Sequence, residues 1–191
     1  PGAQLTNIRL TKSETNKDRV DINGARSVGA LTAEFGGYKI SNVHSELNVQ
    51  SNGRASDAGG TDSGMSIGGL VGINYSNIAT SSSSGNVTVA DNDLPDRWVS
   101  AGGLVGHVRS QLPDTSNASV KNSFATGNIN LGSPNKTING RCGGLVGEIT
   151  VLESASTGTE VSKSYSTGSI TCDKTDSTDL RIGGLIGAII V

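Results

Sequence analysis

A hexapeptide built around Gly-Gly-Leu-Val-Gly returns along this chain, and no other feature restricts its fold as tightly. The copies are Ile67-Gly68-Gly69-Leu70-Val71-Gly72, Ala101-Gly102-Gly103-Leu104-Val105-Gly106, Cys142-Gly143-Gly144-Leu145-Val146-Gly147 and Ile182-Gly183-Gly184-Leu185-Ile186-Gly187. A degenerate copy, Ser27-Val28-Gly29-Ala30-Leu31-Thr32, precedes them. The leucines fall at 31, 70, 104, 145 and 185, at spacings of 39, 34, 41 and 40 residues. A unit of that length is one supersecondary motif, too small to bury an apolar face by itself, so successive units must stack.

A second element follows each phrase. An aliphatic residue opens it and another comes nine positions later: Ile40 and Val49, Ile78 and Val87, Val120 and Ile129, Val161 and Ile170. Alternation at its end puts Val87 with Val89, Ile129 with Leu131, and Ile170 with Cys172 on one face. Each repeat therefore reads as three short strands: the Gly-Gly phrase, an Ile/Val-x-x-Ser segment and the alternating segment. The leucine precedes the second element by 9, 8, 16 and 16 residues, so the third and fourth repeats carry an extra loop that a solenoid can expel sideways. The expected fold is all-β, a β-solenoid (parallel β-helix) with about one coil per ~40-residue repeat. Its units are residues 27–65, 66–100, 101–141, 142–181 and a partial 182–191, with 1–26 as an N-terminal cap or linking strands. A propeller of similar blades is the competing architecture, but the aromatic marks of common blades are missing.

Composition agrees with a lattice of small side chains. Hydrophobic residues make up 34% of the 191, with six aromatics, too few bulky groups for an ordinary core. The formal charge of −2 also lacks the high-charge signature of disorder. The 15 Lys and Arg form no block, which argues against a nucleic-acid partner. The longest apolar run, Ile186 to Val191, is far too short for a membrane span. Pro1 in place of Met is expected of a processed product or an excised fragment.

The recurring phrase, followed by Ser123-Phe124-Ala125-Thr126-Gly127-Asn128-Ile129 and Ser164-Tyr165-Ser166-Thr167-Gly168-Ser169-Ile170, resembles the GLUG-motif repeat. That family occurs in bacterial and archaeal cell-surface or secreted proteins, including the non-catalytic parts of immunoglobulin-A-cleaving zinc metallopeptidases. The resemblance spans residues 27–191. It implies an extracellular or cell-surface location and a structural or adhesive role; it supplies no active site and no cofactor.

Candidate chemistry is sparse. Zinc hydrolysis needs paired ligands, and His44 and His107 have no such neighbour in sequence. His107 follows its glycine where other repeats have Ile73, Glu148 and Ala188, so it reads as an exposed strand end. Arg97, Arg109 and Arg141 are too dispersed in sequence to nominate for an anionic substrate. Acidic residues before the Gly-Gly phrases, Asp91, Asp93 and Asp96, then Asp173, Asp176 and Asp179, are calcium candidates set against a plain reading as solvated turns. Cys142 and Cys172 occupy inward positions and either join as a disulfide or pack as buried thiols. Asn74, Asn86, Asn117 and Asn135 each open a glycosylation triplet. Trp98, Tyr75, Phe124 and Tyr165 are aromatics a sugar could use, although Phe124 and Tyr165 share a repeat position and should stack on each other.

The last repeat stops after its first phrase, leaving Ile186, Ile189, Ile190 and Val191 as an assembly edge. The expected function is a non-enzymatic extracellular stalk, spacer or adhesin whose partners are proteins or glycans of a host or neighbouring cell. A head-to-tail filament subunit, associating through the solenoid ends, is one alternative. A glycan-active β-helix enzyme is another, and it would need a cleft with carboxylates or a base beside several basic residues.

Overall fold

A computed structural model describes residues 2–13, 19–22, 26–51, 64–90, 98–110, 118–132, 139–151, 159–172 and 179–191. Among these the regular structure is all strand, arranged as four parallel sheets of five rungs each. Every strand pairs with its equivalent one repeat away, which is the arrangement of a β-solenoid.

Sheet I holds Ser27–Gly29, Met65–Gly68, Trp98–Gly102, Asn139–Gly143 and Leu180–Gly183. Sheet II holds Thr32–Phe35, Val71–Asn74, Val105–Arg109, Val146–Thr150 and Ile186–Ile190. In sheet III, Gln4–Leu10 and Lys39–Ser45 run unbroken, and later rungs split in two, as Asn77–Ala79 with Ser82–Ser83 and Phe124–Ala125 after Ser119–Lys121. Sheet IV stacks Arg19–Ile22, Asn48–Ser51, Val87–Val89, Ile129–Leu131 and Ile170–Cys172. Gln4–Leu10 and Arg19–Ile22 thus form a half coil laid in register on the first full one. The loops at 111–117 and 152–158 lie outside the described residues, yet the strands on either side of them keep their rungs.

The Gly-Gly phrase differs from the single strand expected. It straddles two sheets, with a bend at Gly69–Leu70 between Met65–Gly68 and Val71–Asn74. The bend is itself a ladder: the amides of Leu31, Leu70, Leu104 and Leu145 donate to the next leucine carbonyl at 2.9–3.0 Å. The glycines are needed because three pieces of backbone converge there. A Cβ on Gly106 would stand 2.6 Å from the Ile67 amide nitrogen and 2.7 Å from the Gly72 carbonyl oxygen, and one on Gly103 would stand 2.8 Å from the Ala125 Cβ. Sheets I and II therefore touch through backbone, and the bend reaches across to the second half of sheet III.

This pinch divides the interior in two. One core, between sheets II and III, contains Leu70, Val71, Ile78, Leu104, Val105, Val120, Leu145 and Val146. The other, between sheets I and IV, contains Ile67, Val87, Val89, Ala101, Ile129, Leu131 and Cys142. The rungs fill these columns with small and medium apolar side chains, which is why six aromatics suffice for this length. Polar ladders run alongside. The Ser123 and Ser164 hydroxyls accept from the amides of Ser81 and Ser123 at 3.1 Å, and the Asn86 and Asn128 side chains accept from the amides of Asn128 and Ser169 at 2.9 and 3.0 Å.

Candidate binding groove

Where sheets I and II meet through glycine they cannot also meet through side chains, so beyond the contact their strands open into a groove of about 580 Å³. Period-two alternation decides which residues enter it. On sheet I the residue two before the first glycine forms the column Ser27, Ser66, Ser100, Arg141 and Arg181, of which Ser66, Ser100 and Arg141 line the groove. On sheet II the residue after the last glycine of the phrase gives the column Glu34, Ile73, His107, Glu148 and Ala188, of which the first four line the groove. Tyr75, Arg109, Thr150 and Ile190 lie one step further out on the same wall.

Glu148 is the centre of the polar network. It is 5% exposed, and Arg141 Nη1 donates to its Oε1 at 2.7 Å while Ser100 Oγ donates to its Oε2 at 2.6 Å. Thr150 Oγ1 donates to Oε1 at 3.2 Å and shares a 2.9 Å hydrogen bond with His107 Nε2, which lies 3.8 Å from the carboxylate. Burial pushes the Glu148 carboxyl up, but His107, the Ser100 hydroxyl and Arg141 together outweigh burial and hold it below the ordinary value of 4.5. Three rungs away, on the first coil, Ser27 Oγ donates to Glu34 Oε1 at 3.0 Å. The result is a carboxylate fixed as an anion within a wall of guanidinium and hydroxyl groups.

His107 is accordingly no exposed strand end; its side chain is 13% exposed and turned into the groove. Arg109 and Arg141, dispersed in sequence, come to the same groove together with Arg26. Arg97 lies outside the described residues. Glu34, Ser66 and Ser100 were not singled out in the sequence, and Glu148 figured there only as the counterpart of His107 in another repeat. The signal that marks them is variation at two fixed offsets from otherwise constant glycines.

The remaining candidates are scattered. Asp179 accepts from Arg181 Nε at 3.2 Å with both side chains exposed, and Asp91, Asp93, Asp96, Asp173 and Asp176 lie outside the described residues. Among the described residues no group of three or more His, Cys, Asp or Glu could hold a metal ion. Cys142 and Cys172 are free thiols in this structure, the first buried and the second half-buried against the same core. Burial, with Cys172 nearby, pushes the Cys142 thiol up to about 12. Asn74 is fully buried, its amide donating to the Ser76 carbonyl at 2.6 Å, so the folded chain does not present it to a glycosyl transferase. Asn86 is exposed, and Asn117 and Asn135 lie outside the described residues. Phe124 and Tyr165 stack at 5.1 Å with a 4° interplanar angle. Ile186 and Ile190 are half-buried on the last rung of sheet II, with Ile189 and Val191 exposed. The described residues include no helix long and apolar enough to cross a membrane.

Four in-register parallel sheets, two columnar cores and a glycine-closed groove define a β-solenoid repeat protein. Residues 63–88 match the family model described as the GLUG motif, a repeat found in extracellular proteins. That segment runs from sheet I at Met65 to sheet IV at Thr88, so the motif corresponds to one coil. No curated protein and no solved structure matched the chain.

Proposed function

We propose that this chain is a non-enzymatic module of an extracellular or cell-surface protein, and that its work is adhesive. The carrying observation is the geometry of the stack. Five rungs at about 4.8 Å give a height of only about 24 Å for 191 residues, poor reach for a spacer but a broad, rigid side surface. A rigid surface binds without losing conformational entropy, which suits recognition better than extension. The non-enzymatic reading is supported by Glu148, the buried carboxylate of the groove. Its bonds to Arg141 and Ser100 and its lowered pKa make it a poor proton donor or acceptor near neutral pH.

The reading is tested by coating beads with the purified chain and measuring retention on cultured epithelial and bacterial cell layers. Retention above that of beads coated with an unrelated solenoid is expected. Equal retention on every surface would overturn the adhesive role.

A further inference from the structure

We propose that the groove between sheets I and II is a binding site for an acidic saccharide chain, with uronate carboxylates taken by the guanidinium groups of its wall and rim. The inference rests on the adhesive reading above and names its ligand class.

Charge comes first. The groove is lined by three arginines, Arg26, Arg109 and Arg141, against two carboxylates, Glu34 and Glu148. Both carboxylates already accept bonds from the protein itself, Glu34 from Ser27 and Glu148 from Ser100 and Arg141. Arg141 is itself committed to Glu148, so the lining keeps a surplus of one positive charge, carried outside that pair by Arg109 at the rim, and planar guanidinium matches a carboxylate bidentately. Hydroxyls of Ser66, Ser100 and Thr150 line the same walls, the polar complement of a sugar's own hydroxyls. Tyr75 and Ile73 make an apolar step beside the polar cluster, where a pyranose ring can lie against the tyrosine face while its substituents reach polar groups.

Shape selects a polymer. Both walls repeat at every rung, about 4.8 Å apart, so the groove is a track along the stack. A peptide is the less fitting occupant. The backbone amides and carbonyls of both walls pair along the axis with neighbouring coils, so the groove exposes side chains and no strand edge for main-chain pairing.

The test is calorimetric titration of the full chain with hexamers of galacturonate and mannuronate, their methyl esters, and a glutamate hexapeptide. Arg109 is the discriminating position, because it stands half-buried at the rim, outside the Glu148 network. Binding of a uronate hexamer is expected, weakened at least about tenfold by esterification and by Arg109→Glu, and unchanged by Arg9→Glu on the outer face of sheet III. Circular dichroism of each variant confirms folding, and Tyr75→Ala serves as a second groove variant with the same expected direction. Absence of uronate binding, equal affinity for the esters, insensitivity to Arg109→Glu, or tighter binding of the glutamate peptide would overturn the proposal. The bead assay separates the two readings. Retention on cells that survives Arg109→Glu, without uronate binding, sinks the groove and leaves adhesion standing; no retention of the wild type sinks adhesion whatever the calorimeter records.

Discussion

Thr80 turns the chain between the two halves of its sheet III rung with φ at 50°, a left-handed conformation that a β-branched residue adopts at a cost of about 1–2 kcal/mol. The same corner is taken by Asn7, Asn42, Asn122 and Lys163 at φ between 49° and 57°, so the coil requires the conformation whatever residue stands there. Asparagine relieves part of the cost through its local hydrogen bonding, and the Asn42 amide donates to Asn7 at 2.8 Å across this column. Thr80→Asn is expected to stabilise the chain by up to about 1 kcal/mol, read as a higher urea midpoint at unchanged slope. A lower midpoint would mean that the threonine methyl packs in a way the corner needs. Cys142 illustrates a different residue-scale rule. With its thiol pushed up to about 12, it behaves at neutral pH as one more small hydrophobe in the column between Ala101 and Ile182.

At the scale of elements, the groove exists because sheets I and II approach through glycine and then diverge. The network at Glu148 ties the two walls across that opening. Its carboxyl titrates below its ordinary value when folded, so on acidification the unfolded chain takes up the proton first. The contribution of the carboxylate is present in full above the unfolded value of 4.5 and is lost as the pH falls through the lower folded one. The wild-type urea midpoint is expected to fall more steeply than that of Glu148→Gln between about pH 5 and pH 3. The variant should start less stable at pH 7, because Arg141 then loses the charge that compensates its burial. Parallel profiles would remove the network from the stability of the fold.

Over the whole molecule, each coil contacts its neighbours alone, so stability is a sum of coil and interface terms. Ala101 and Cys142 are rung partners. Deleting residues 101–141 joins Ser100 to Cys142 and preserves every register. Deleting 101–140 joins Ser100 to Arg141 and shifts the downstream coils by one residue, turning inward side chains outward. The first deletion is expected to keep a cooperative unfolding transition and a β-sheet spectrum; the second is expected to lose both. Equal behaviour of the two would deny that rung register holds this fold together.

Much of the fold was legible in the residues. The leucine spacings set the coil length, and the nine-residue offset from Ile78 to Val87 placed the second element, because a stacked rung forces like residues to recur at like positions. Inward positions such as Val87, Val89 and Ile129 followed from alternation, and the Phe124–Tyr165 stack followed from their shared repeat position. Other features required three dimensions. Paired glycines suit a bend or a close backbone approach, but that the phrase is split there between two sheets follows from backbone of adjacent coils and side chains of sheet III occupying the space a Cβ would need. Asn74 opens an acceptor triplet in sequence, but only the fold buries it against Ser76. The groove is the furthest from the sequence of all. Ser100, His107, Arg141 and Glu148 are spread over 49 positions and meet only when two sheets are folded against each other about their glycines. Periodicity along the chain therefore determined the coil and its core, since both depend on one coil and its nearest neighbours. The site was decided by residues that vary beside the constant glycines, because Ser100 and Arg141 reach Glu148 only when adjacent coils stack and two sheets meet at the pinch.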